Sequence, residues 1–156
     1  MSRQYRKTIK RKGYFNMKFS KSTVMALAFS AMLTAACTTA PVLTPSEVIP
    51  ASYGLTNSEI KDEIIAAAVD RDWTVINSND HEVEISYSKP GKIDVTSVVE
   101  YTANSFEIKL KHSSGPDAYK DGKIHRNYNR WVNNLKNDID SRLNHRQAVK
   151  HVQKKK

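Results

Sequence analysis

The chain has one cysteine, Cys37. A lone thiol cannot close an intramolecular disulfide, so the usual use of cysteine in an exported protein is excluded. Glycine is scarce as well. The five glycines, at 13, 54, 91, 115 and 122, form no G-x-G-x-x-G or Walker spacing, which excludes a phosphate loop. No histidine and cysteine cluster has a zinc-ligand spacing, and no G-x-S-x-G elbow is present for nucleophilic catalysis. Paired carboxylates occur as alternating strand residues such as Glu82 and Glu84, the pattern of a solvated face. Long apolar runs are missing too. "TVMALAFSAMLTAA", residues 23–36, is fourteen residues, short of the roughly 20 that a membrane-spanning helix needs.

Acidic residues are absent from residues 1–16, "MSRQYRKTIKRKGYFN", which carry six cations. Lys18 and Lys21 add two more, and the last eleven residues, "RQAVKHVQKKK", carry five. The formal net charge is +9, yet residues 37–145 sum to −4. The basicity belongs to the ends. A folded part of that net sign does not predict a nucleic-acid partner.

What is present begins with a leader. "MKFSKS" from Met17 is a compact basic segment, and the run at 23–36 has the length of a signal-peptide core. This predicts Met17 as initiator, residues 1–16 as an upstream extension and residues 17–36 as a signal peptide. "LTAAC", residues 33–37, resembles the lipobox of bacterial lipoproteins, with small Ala35 and Ala36 before Cys37. Thr34 stands where leucine is commonest in that pattern. The resemblance implies cleavage between Ala36 and Cys37, a diacylglyceryl group on the Cys37 thiol and acylation of the new amino group. That covalent lipid is the only cofactor expected. Two or more acyl chains hold a protein stably on a bilayer without a spanning helix. Thr38, rather than Asp, follows the cysteine. In enteric-type sorting this implies the outer membrane, facing the periplasm.

Residues 38–55, "TTAPVLTPSEVIPASYGL", hold Pro41, Pro45 and Pro50 and no helical or strand period. With Cys37, residues 37–56 are expected to be a flexible tether. Thr56 three residues before Glu59 has capping-box spacing, and Ile60, Ile64, Ala67 and Ala68 form one apolar stripe, which predicts a helix at about 57–70. The period then drops to two in "WTVINS", "EVEISYS", "IDVTSVVEYT" and "FEIKLKH", separated by "NSND", "KPGK" and "ANS". Four short-linked strands predict an antiparallel meander with one wet face. "IHRNYNRWVNNLKNDIDSRLN", residues 124–144, is the second helix, with Tyr128, Trp131, Val132, Leu135, Ile139 and Leu143 on its apolar stripe. Asp138 and Arg142 are spaced for an i, i+4 pair. The expected fold is α+β in two layers, order αββββα, with both helices on one face of the four-stranded sheet. It covers residues 57–145, and residues 146–156 are a basic tail.

"KIHRNYNRWVNNL", residues 123–135, has unusual texture. Arg126 and Arg130 are like charges at i, i+4 near the positive end of a helix dipole. Lys123, His125, Arg126 and Arg130 are therefore candidates for an anion or ligand site. The competing reading makes Tyr128 and Trp131 core anchors, with the arginine stems covering them and His125 capping the helix. This stretch, together with "RDWTV", resembles a group of small, uncharacterised envelope lipoproteins of Gram-negative bacteria that share an IHxNYNxWVxNL-like helix. The resemblance covers about residues 57–140 and carries over no catalytic residue.

The first functional expectation is thus a non-enzymatic, membrane-anchored envelope lipoprotein that binds a periplasmic or outer-membrane partner, with no metal. The second is a structural role in which the basic C-terminus contacts anionic lipid or peptidoglycan. The third is a small hydrolase or inhibitor site at His125 and Arg130.

Overall fold

The computed structural model describes residues 38–155. The upstream extension, the signal peptide and Cys37 lie outside the described residues. Two helices and seven strands follow in the order β1 (Thr39–Pro41), β2 (Ser46–Val48), α1 (Asn57–Asp70), β3 (Thr74–Ser78), β4 (Glu82–Lys89), β5 (Ile93–Thr102), β6 (Ser105–Ser114), β7 (Lys123–His125) and α2 (Arg126–Gln153). The class is α+β. The sheet has five antiparallel strands in the order β2-β6-β5-β4-β3, and β1 pairs with β7 in a separate two-stranded ribbon.

α1 starts where the capping box places it. Thr56 Oγ1 accepts from the Glu59 amide at 3.2 Å, and a Glu59 carboxylate oxygen accepts from the Thr56 amide at 2.8 Å. The strands follow alternation. Ile93, Val95, Ser97, Val99 and Tyr101 of β5 point inward, as do Val83 and Ile85 of β4 and Phe106 and Ile108 of β6. These share one core with Ile60, Ile64, Ala67 and Ala68 of α1 and Tyr128, Val132, Leu135, Ile139 and Leu143 of α2. The turn joining β4 to β5 is Lys89-Pro90-Gly91-Lys92, closed by the Lys92 amide on the Lys89 carbonyl at 3.0 Å. Proline sets φ at the first corner, and Gly91 takes φ 70° at the second, as a type II turn requires.

Four expectations need correction. The sheet has five strands rather than four, because β2 joins the free edge of β6 with Ser46 opposite Glu107. The stretch expected to be a tether is therefore folded. Ile49 and Leu55 are buried in the core, the Ile108 amide donates to the Pro45 carbonyl at 2.8 Å, and the Ile49 amide donates to the Asn104 carbonyl at 2.8 Å. Proline is compatible with this because both short strands lie at edges, where an N–H is not required on the outer side. The second helix also starts later and runs further than expected. Lys123–His125 is a strand, and the basic residues to Gln153 are helical.

Asp138 and Arg142 do not pair with each other. Each reaches across to α1, which runs antiparallel to α2. Arg71 forks onto both oxygens of Asp138, and Arg142 meets Asp70 and Glu63. A planar two-point contact between helices wins over an i, i+4 pair worth a few tenths of a kcal/mol. Arg71 in turn holds the Asp138 carboxyl below its usual range. Among the described residues no helix is long and apolar enough to cross a membrane.

Candidate functional site

The segment 123–135 can be assigned side chain by side chain. Ile124 is fully buried. His125 is the N-cap of α2, where its Nδ1 accepts from the Asn127 amide at 3.2 Å, relieving one of the four unsatisfied donors of a helix start. Tyr128 is fully buried, with its hydroxyl 3.3 Å from Ser97 Oγ on the central strand. Burial pushes the Tyr128 phenol up to about 12. Trp131 lies half-buried against Tyr87, ring centroids 4.7 Å apart, and Tyr87 meets Trp73 at 5.4 Å. Val132 and Leu135 complete the buried stripe.

Asn129 explains the second asparagine of the "NYN" triplet. Its Nδ2 donates to the Pro41 carbonyl at 2.8 Å, and its Oδ1 accepts from the Leu43 amide at 3.0 Å. One side chain thus takes the place of a strand partner for backbone that leaves β1. Asn129→Ala is expected to cost about 1–2 kcal/mol, the value of two such bonds at a half-exposed site. Its signature is local: amide exchange should rise sharply across residues 38–44 while the core of β5 keeps its protection. Unchanged exchange at Leu43 would show that the clamp does not hold this segment.

Of the four candidate residues, His125 is thus committed to capping. Lys123, Arg126 and Arg130 are exposed and enter none of the ion pairs among the described residues. The cations further along α2 differ. Lys136 meets Glu47, Arg142 meets Glu63 and Asp70, Arg146 approaches Glu59 and Glu63, and Lys150 lies 2.6 Å from Glu59. The start of α2 is therefore its unneutralised part. The Arg126 amide donates to the Thr38 carbonyl at 2.9 Å, and Thr39 is paired with His125.

Three open grooves mark the surface, two away from this segment and the third reaching it at Trp131. One of 630 Å³ is lined by residues including His81, Glu82, Glu100, Tyr101 and Glu107. A second, of 590 Å³, runs along β6 past Val42, Leu110, Lys111 and Tyr119. A third, of 260 Å³, has Trp73, Tyr87 and Trp131 on its walls beside Asp70, Arg71 and Asp72. The sequence reading missed all three, because each joins segments far apart in the chain. Among the described residues no group of three or more His, Cys, Asp or Glu side chains could hold a metal ion. No protein-family model matches this chain, and no curated protein matches it.

Proposed function

We propose that this chain is an envelope lipoprotein, held on the outer membrane by lipid on Cys37 and facing the periplasm as a non-enzymatic interaction module. The observation that carries the reading is the lone cysteine after two alanines and a leader-like run, "TVMALAFSAMLTAAC". The folded part adds support of a different kind. His125, Tyr128, Asn129 and Trp131 of its unusual helix motif serve architecture as a cap, two core anchors and a backbone clamp, which leaves Lys123, Arg126 and Arg130 facing solvent.

Growth with an alkyne-tagged fatty acid tests the anchor. Label is expected in the native protein and none in Cys37→Ala, and the mature amino terminus should be an acylated Cys37. An unmodified Cys37, or a mature terminus elsewhere, would sink the proposal. Crosslinking in intact envelopes then tests the module reading by asking whether a discrete partner is captured.

A structural role stays as the second reading, favoured by one observation. Lys154 and Lys155 are exposed at the far end of α2, about 42 Å from its first turn at 1.5 Å per residue over 28 residues. They stand away from the anchored end, so peptidoglycan suits them better than the anchoring bilayer. Muramidase digestion of washed sacculi should release the protein in covalent or tight association if this is so.

A further inference from the structure

The folded domain begins almost at the cysteine. Thr39 is already paired with His125, and the Thr38 carbonyl already holds the Arg126 amide. Consecutive Cα atoms are about 3.8 Å apart, so Cys37 is bonded directly to a residue that is fixed against the start of α2. A lipid on Cys37 would leave no room for the domain to stand off. Whatever surface surrounds Thr38 would lie at the headgroups.

That surface can be traced. The hairpins of an antiparallel sheet alternate ends, so the 89–92 turn and the exit of β6 at Ser114 lie together. The Asp117 amide donates to the Lys92 carbonyl at 3.1 Å, and Gly115 is packed so closely that an added Cβ would fall 2.8 Å from the same carbonyl. The chain then turns through Lys120, bridged to Lys123, and the Val42 amide reaches the Gly122 carbonyl. This end of the domain thus gathers exposed Lys89, Lys92, Lys120, Lys123, Arg126 and Arg130. The carboxylates at this end are Asp94, which accepts from Ser88, Asp117, Asp121 and, in the α1–β3 turn beside Trp131, Asp72, with Asp70 already held by Arg142. None of the six cations enters an ion pair among the described residues. The opposite end holds the 79–81 and 103–104 turns, with Asp80, Glu82, Glu100 and Glu107 near them. The mildly acidic sum over the domain conceals an uneven distribution: the six cations stand without a salt bridge, whereas at the opposite end Asp80 meets Lys61 and both Glu100 and Glu107 meet Lys109.

We infer that the end of the domain bearing Lys89, Lys92, Lys120, Lys123, Arg126 and Arg130 docks flush on the bilayer and contacts the phosphates of anionic phospholipid. This rests on the lipid-anchor reading of Cys37. The anchor sets which end meets the membrane, and the cations fix the orientation. Screening confines their effect to about 8 Å at physiological salt, a distance that a tethered domain would exceed and a directly joined one does not. Each basic side chain at such a surface strengthens attachment about fivefold.

The test uses the acylated mature protein in phosphatidylethanolamine vesicles with or without phosphatidylglycerol, treated with a water-soluble amine-reactive ester. Lys120 and Lys123 should react several-fold more slowly on the anionic vesicles, while Lys154 and Lys155 keep their rate. Arg126→Ala combined with Arg130→Ala should restore the reactivity of Lys123, as should high salt. Equal rates for Lys123 on both vesicle types, or protection of Lys154 and Lys155 instead, would overturn the docking. Intact mass of the same preparation reports the acylation of Cys37 separately. If Cys37 proves unmodified, coupling the single thiol of the full chain to a maleimide-bearing phospholipid supplies the same tether point. The lysine rates then still decide the orientation.

Discussion

Tyr128→Ala is expected to destabilise the domain by about 3–5 kcal/mol, the range for deleting a fully buried aromatic side chain. Tyr128 has no exposed surface, and its ring sits between α2 and the central strand β5. Its loss also strands Ser97, a buried polar residue whose hydroxyl has the Tyr128 hydroxyl as partner. An unpaired buried hydroxyl costs about 1–3 kcal/mol. Domains of this size are stable by only about 5–15 kcal/mol, so the melting temperature should fall by roughly 10–20 °C. Tyr128→Phe separates the two contributions. It keeps the ring and removes the hydroxyl, so it should cost about 1–2 kcal/mol. Adding Ser97→Ala should then recover part of that loss, because both ends of the bond are gone. Thermal unfolding of the parent, Tyr128→Phe, Ser97→Ala and the double variant closes the cycle. A Tyr128→Ala variant that melts within a degree or two of the parent would show that the tyrosine is not a core anchor.

The same residue shows what a sequence can and cannot disclose. Tyr128 lies on a stripe with Val132, Leu135, Ile139 and Leu143 that any 3.6-residue period reveals, and the inward faces of β4, β5 and β6 follow a period of two. α1 was legible to its first residue, because capping chemistry is local. β1, β2 and β7 were not. A three-residue strand carries too little pattern to register, and its formation depends on a partner 57 or more positions away, as for Val48 with Ser105. Val42, Ile49 and Leu55 were the available signal: apolar residues that a solvated tether has no use for.

The cationic end was half legible. Lys123, Arg126 and Arg130 lie within eight residues of one another. Lys89 and Lys92 join them only because the 115–117 loop folds back on the β4–β5 turn. Charge summed along the chain gives the sign of the domain. It cannot give which end of the sheet gathers the cations that lack an ion-pair partner, which depends on the hairpin register.

The C-terminal turns of α2 should prove the most acid-sensitive part of the fold, through Glu59. Its carboxylate closes the capping box of α1, accepts from Lys150 Nζ at 2.6 Å and lies 3.8 Å from Arg146. The Lys150 hydrogen bond first, and the Thr56 amide second, draw the Glu59 pKa from 4.5 down to about 2. A carboxyl whose folded pKa is depressed contributes stability that is complete above its unfolded pKa and disappears as pH falls through the folded one. The window here runs from about pH 5 down to about pH 2. The Glu59 side chain keeps 20% of its exposure, so solvent screens the pair, and about 1–2 kcal/mol is the expected change across the window. Glu59→Gln should flatten that pH dependence. Glu59→Ala should lose the box as well, about 2–3 kcal/mol together at neutral pH. The loss should also be uneven. Lys150 donates in addition to the Gly54 carbonyl at 2.7 Å, so Glu59 and Gly54 are what tie the last turns to the body of the domain. With Glu59 gone, amide exchange at residues 146–153 should rise well before that of Val132 or Leu135. A uniform rise along α2 would mean that the helix holds its end by its own hydrogen bonds, and that the Glu59–Lys150 contact is incidental.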